Sequence, residues 1–236
     1  MHPTLLQDLK DFFFPRKCPV CGGRLYNGEW ICTYCLSRLP HTLYHRQKEN
    51  KLEQRLKSIA PIERATGYFF YSPQGDYSSL LHQIKYYNHQ PLAIHLGKLM
   101  ATHLISDGDF FEGINFLVPI PLAHNRLRQR GYNQSLLLAQ GIHEVTHIPI
   151  SSNTLLRIVD NPSQTHLTNT ERWKNVKDIF SVTPTTFEQF NDKHILLVDD
   201  VATTGATLSS CIQTISKAVP TCRISVVVLA IADIDF

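Results

Sequence analysis

Two uninterrupted apolar runs near the end of the chain, residues 194–198 and 225–232, constrain the fold more than any other feature. Both are rich in branched side chains and neither alternates with polar residues, so each is expected to be a strand covered on both faces. The stretch between them, 207–219, reads as a helix. Strand, helix and strand in that order imply a parallel sheet, because a helical crossover returns the second strand in the direction of the first. The same alternation runs upstream: 65–71 as a strand, 77–87 and 92–104 as helices, 115–120 as a buried strand, 134–145 as a helix and 154–159 as a strand. Residues 168–176 open with a capping box, Thr168 with Glu171, and are expected to be helical. The expected class is therefore α/β, a parallel sheet flanked by helices.

The amino-terminal part has a different character. Leu5, Leu6, Leu9, Phe12 and Phe13 recur at helical spacing and predict a short amphipathic helix. Cys18 and Cys21, then Cys32 and Cys35, form two CxxC knuckles. Each knuckle turns two thiolates toward one point, and two knuckles complete a tetrahedral zinc site with no open position, which is a structural arrangement. Cys211 and Cys222 lack such spacing and are expected in the core. Arg16, Lys17, Arg24, Tyr26, Trp30 and Tyr34 surround the ligands; they suit a nucleic-acid contact, and equally a small aromatic core with solvated charges. A polar stretch follows, expected to be a linker with one exposed helix. The organisation expected is 1–40 helix and zinc ribbon, 41–60 linker, and 61–236 the α/β domain.

Charge excludes little. Twenty-three Lys and Arg against twenty Asp and Glu give a net +3, which permits an anionic partner without requiring one. The longest strongly apolar run, 226–232, falls far short of the roughly 20 residues that span a bilayer, so no transmembrane segment is expected. Asp8 and Asp11 interrupt the opening apolar stretch, which does not read as a secretory signal, and a cytoplasmic location is expected.

The residues ILLVDDVATTGAT, 195–207, carry the chemistry. A short apolar strand delivers Asp199 and Asp200 to the carboxyl edge of a parallel sheet, where ligands bind in open α/β folds. Val201, Ala202, Thr203, Thr204 and Gly205 then turn into a helix starting at Ala206 and Thr207, aiming backbone N–H groups and hydroxyls at one spot that favours an anion. A phosphate suits the turn, and two carboxylates suit the vicinal hydroxyls of a ribose. Taken alone, the acidic pair could instead bind a metal ion or cap the turn. A second stretch, VPIPLAHNRLRQRGYNQ, crowds Arg126, Arg128 and Arg130 before Asn133; it suits a pyrophosphate or a nucleic-acid backbone, and equally an exposed basic face. Lys85 beside Tyr86 reads in the same two ways.

These motifs, with IKYYNHQPLA, the stretch LLRIVDNPSQTHLTNTERWKNVKDIF and the four-cysteine ribbon, resemble the ComF family, also called the GntX or competence-protein family, over nearly the full chain. The resemblance implies a type I phosphoribosyltransferase fold. It makes Asp199 and Asp200 the catalytic pair, 201–207 the ribose-phosphate loop, and Pro119, Arg126, Arg128, Arg130 and Asn133 the pyrophosphate or nucleic-acid side. It makes Arg157, Gln164, Arg172 and Asn175 part of a mobile loop over the site. Asn161 departs from the pattern, standing where Thr is expected. The implied ligands are phosphoribosyl pyrophosphate with Mg²⁺, or a nucleotide, beside structural zinc. The implied role is DNA uptake in natural transformation, with single-stranded DNA and other competence proteins as partners. Two alternatives stand beside it: an active phosphoribosyltransferase of nucleotide metabolism whose acceptor the sequence does not name, and a purely structural adaptor.

The sequence HEVTH, with His143, Glu144 and His147, matches a zinc-protease pattern, but the helix is expected to end at once and no third ligand follows. There is no Walker A loop and no GxGxxG.

Overall fold

The computed structural model describes residues 16–26, 28–86, 89–158 and 179–232. The expected amino-terminal helix, the capping-box helix at 168–176 and the loop residues Gln164, Arg172 and Asn175 lie outside these.

The two apolar runs form adjacent central strands, β5 (His194–Ala202) and β6 (Arg223–Ala232). With β1 (Ala65–Tyr71) and β2 (Phe116–Pro119) they make a four-stranded, all-parallel sheet in the order β1-β6-β5-β2. Continuous apolarity has the expected cause, since successive side chains of a strand point to opposite faces and both faces here are covered. Leu196 and Val198 face one core and Ile195 and Leu197 the other.

On the first face lie α3 (Ser78–Tyr86), α4 (Gln90–Ser106) and α6 (Gln134–Thr146), with the cysteine module, whose short helix is α1 (Thr33–Ser37), against them. Leu25, Ile31 and Leu39 of that module share the core of the sheet, and Tyr77 donates from its hydroxyl to the carbonyl of Cys35 at 2.8 Å. On the second face lie α2 (Lys51–Lys57), α7 (Thr186–Phe190) and α8 (Ala206–Ala218), with a small antiparallel pair, β3 (Leu155–Arg157) and β4 (Phe180–Val182). The amphipathic stripe of α8, Leu208, Cys211, Ile212 and Ile215, is buried at the spacing a helix requires. Cys222 is buried at the foot of β6, so both unpaired cysteines are core residues.

Two expectations need correction. The polar stretch expected to carry one exposed helix instead packs α2 into the second core, with Leu52 and Leu56 fully buried at i, i+4. Asn50 holds it there, accepting at its amino end from the N–H of Glu53 and donating to the carbonyl of Ala65 on β1 at 2.9 Å. The Glu53 carboxylate accepts from the Ala65 N–H. Two leucines among charged residues are enough to dock one face. The strand expected at 194–198 continues to Ala202, because Asp199, Val201 and Ala202 keep their pairing with β6.

Candidate functional site

Asp199 is the sixth of nine residues of β5, paired opposite Val228, and is nearly buried at 9% exposure. Its Oδ1 accepts from the hydroxyl of Ser135, on α6, and from the backbone N–H of Asp200, both at 2.9 Å. Burial, then the neighbouring Asp200 carboxylate, holds its carboxyl well above the ordinary carboxylate range. Asp200 points the other way, half-buried, with Lys85 of α3 3.2 Å from its Oδ2. Adjacent carboxylates thus live in different surroundings: one desolvated and internally hydrogen-bonded, the other paired with a cation at the rim.

Beyond Ala202 the chain turns through Thr203, Thr204 and Gly205 into α8. Gly205 caps the helix in the left-handed region, φ 75°, where a side chain would cost about 1–2 kcal/mol whatever the space around it. This lets the turn close tightly over the first free N–H groups of α8. A small cavity results, lined by Asp199, Val201, Thr203, Thr204, Ala206 and Thr207. Thr204 Oγ1 accepts from the Ala206 N–H, and its carbonyl accepts from Arg55 Nε of α2 at 2.7 Å. The strand end, the turn and the helix start therefore converge as the motif suggested.

The arginine stretch is divided by the fold. Residues His124–Arg130 form a short helix, α5, on which Arg126 and Arg128 are exposed. Arg130 is committed elsewhere: it donates to Gln134 Oε1 at 3.0 Å and lies over the ring of Tyr86 at 5.3 Å. Asn133 caps α6, accepting from the Ser135 N–H and donating to the Ile120 carbonyl, so its side chain orders the backbone after β2. Pro119 ends β2 opposite Val198. Arg157 closes β3 with its guanidinium 5.5 Å from the ring of Phe180. Ser135 and Arg55 were not singled out by their sequence; each joins the site across a distance in the chain that only the fold closes.

The HEVTH segment is the end of α6. His147 lies past the last helical residue in a left-handed C-cap, and Glu144 is ion-paired with Lys98.

Cys18, Cys21, Cys32 and Cys35 bring their four Sγ atoms within 4.8 Å of one another, with Cys21 and Cys32 3.7 Å apart. Thiolates around a tetrahedral ion with bonds of about 2.3 Å stand roughly 3.8 Å apart, so the cluster fits a structural metal such as zinc. Around it Arg16 lies over Trp30, Arg24 over Tyr26 and Arg38 over Tyr34, with Tyr26 and Tyr34 more than half exposed. Among the described residues no helix is long and apolar enough to cross a membrane.

No family model matches the chain. It is 37% identical over 101 residues to "Competence protein F" of Haemophilus influenzae, a match covering 43% of this chain and 44% of that protein. It is 28% identical over 200 residues to "DNA utilization protein YhgH" of Salmonella typhimurium, covering 83% of this chain and 76% of the relative. It is 40% identical over 92 residues to "Competence protein ComFC" of Bacillus subtilis, covering 39% of this chain and 34% of that one. The matches thus span less than half of either competence protein and about three quarters of the DNA utilization protein. These relatives support placing the chain in the ComF family.

Proposed function

We propose that this ComF-family chain binds a ribose phosphate of the phosphoribosyl-pyrophosphate type at the carboxyl edge of its sheet and acts in the handling of single-stranded DNA during uptake. The observation that carries the binding reading is the junction of β5 and α8: a buried and a half-buried carboxylate followed, two residues on, by a Thr-Thr-Gly turn over a helix start. Phosphate oxygens would accept from the N–H groups and hydroxyls of 203–207, and the ribose hydroxyls would donate to Asp199 and Asp200. Lys85 pairs with the Asp200 carboxylate and fixes its direction. Charge neutralisation of the pyrophosphate would come from Mg²⁺ bound with it.

The DNA side rests on the relatives' names and on the basic and aromatic surface. Tyr26 and Tyr34, each beside an arginine, offer stacking platforms for unpaired bases, and Arg126 and Arg128 offer charge for phosphates. Zinc is the metal we assign to the four thiolates, holding those tyrosines in place. Turnover as a phosphoribosyltransferase is the second reading. A cavity beside Lys85, lined by Tyr71, Leu81, His82 and Tyr86, favours it as a place for an acceptor.

Isothermal titration of the full chain with phosphoribosyl pyrophosphate and Mg²⁺ tests the binding. Saturable binding is expected, weakened about 10–100-fold by Asp200→Asn or Thr204→Val through loss of hydrogen bonds to a charged ligand. No binding by the wild type refutes the reading. Fluorescence anisotropy with a single-stranded oligonucleotide tests the DNA side: affinity should fall with salt, and Arg126→Ala, by freeing one phosphate, should make the log–log slope shallower by about 0.7. Release of pyrophosphate on adding an acceptor base would favour turnover.

A further inference from the structure

At the outer edge of the sheet, on the far side of β1, three further potential metal ligands come together. His45 lies in a single 3₁₀ turn, Tyr44–Arg46, entered through Leu43 in the left-handed region, φ 54°. His103 lies in the last turn of α4, and Asp107 is the C-cap residue of that helix. One donor atom from each of the three stands within 4.8 Å of the others. His45 Nε2 is 2.5 Å from Asp107 Oδ2, with the two side chains 3% and 15% exposed. Arg46 grips the same carboxylate from the solvent side with both Nε and Nη2.

Around these three the surroundings are aromatic rather than polar. His41, whose backbone bridges to Phe69 of β1, stacks on His103 with ring centroids 4.5 Å apart and planes 10° from parallel. Tyr68 meets both of those rings edge-on, and His45 meets His103 edge-on at 5.4 Å. In this shell His103 Nε2 and His45 Nδ1 are both buried and without any hydrogen-bond partner. A buried polar nitrogen left unmatched is unfavourable and calls for a partner, such as an ordered water or an ion.

We propose that His45, His103 and Asp107 form a second metal site, separate from the four cysteines, that takes a divalent transition ion of the zinc, cobalt or nickel class. Two imidazoles and one carboxylate are the donor set such ions prefer, whereas Ca²⁺ and Mg²⁺ demand oxygen shells that this pocket lacks. Ligand atoms around a tetrahedral ion with bonds near 2.0–2.1 Å stand roughly 3.3 Å apart, so modest side-chain adjustment closes the set. Arg46 then acts behind the ligands, fixing the orientation of the Asp107 carboxylate as outer-shell partners do. The ion would clasp the turn at 44–46 to the end of α4. Strand β6 lies between β1 and β5, the strand that carries Asp199, so the clasp belongs to the frame and not to the sugar-phosphate site.

Cobalt substitution of the full chain, stripped of metal and refolded, tests this directly. Thiolate ligation gives intense charge-transfer absorption, whereas a histidine–carboxylate site gives only weak visible d–d bands. The prediction is a second equivalent of Co²⁺ that adds d–d bands with no further thiolate charge transfer and raises Tm. His103→Gln should abolish that equivalent and leave the thiolate bands intact; Arg46→Ala should weaken it about 10–100-fold. Should His103→Gln fail to fold by circular dichroism, Asp107→Asn, which keeps the shape of the side chain, provides the same reading. Folded wild type that shows no thiolate-free bands overturns the proposal, as do thiolate-free bands that persist in both ligand variants. In either case the cluster is an aromatic and hydrogen-bonded node alone.

Discussion

Asp199 carries an ionisable carboxyl in surroundings that disfavour its charge. Its carboxylate is held in a desolvated strand end beside a second carboxylate, with the Ser135 hydroxyl and one backbone N–H as its close hydrogen-bond donors. A carboxyl whose folded pKa lies above its unfolded value binds more protons in the folded state. Stability therefore falls as pH rises from the ordinary Asp value, about 3.9, through the elevated one. Asp199→Asn removes that slope while keeping Oδ1 as the acceptor for both bonds. It should raise Tm at pH 8 by about 2–4 °C, corresponding to about 1 kcal/mol, and give no gain near pH 4, where the wild-type carboxyl is already protonated. Thermal melts at the two pH values check this; an equal shift at both would show that ionisation is not the cause. Under the proposed function the same substitution should weaken sugar-phosphate binding, since the ribose hydroxyls would lose a charged acceptor.

Among the elements, α4 and α6 set the position of the site's first face, and they meet through glycine. A Cβ on Gly141 would run into the carbonyl of Ile94, lie 2.8 Å from the Lys98 nitrogen and 2.9 Å from Gly97 Cα. Gly141→Ala should force the helices apart, cost about 2 kcal/mol or more, and lower Tm by roughly 4–8 °C, read by calorimetry. Because α6 also carries Ser135, the site should loosen with it. Elements with a continuous or strictly periodic apolar pattern were legible in the sequence: all four strands of the sheet, the long helices α4 and α6, and α8 behind its Gly205 cap. Others were hidden for identifiable reasons. Helix α5 has one apolar residue, Leu127, and it is 40% exposed, so no face announces it. At α2 a helix was expected but its burial was not: the helix is polar or charged everywhere except Leu52 and Leu56, and its docking depends on Asn50 reaching a strand fifteen positions away.

For the molecule as a whole, the site was legible where its parts are contiguous and illegible where the fold assembles them. The acidic pair and the turn after it sit in one short stretch, so the convergence of Asp199 and the turn on one cavity could be read directly. Ser135 reaches Asp199 across 64 positions and Arg55 reaches Thr204 across 149, and no local pattern encodes either interaction. The cysteine module, whose four cysteines also sit in one stretch, was legible as a thiol cluster that fits a metal, while its sharing of a core with the sheet was not. In the proposed function one sugar-phosphate ligand sits at the junction of β5 and α8, braced by α2, α3 and α6. Hydrogen exchange of the full chain, with and without phosphoribosyl pyrophosphate and Mg²⁺, probes that placement amide by amide. Slowed exchange confined mainly to the amides of 199–209 is expected. Unchanged exchange there at saturating ligand, or protection centred on another part of the chain, would contradict it.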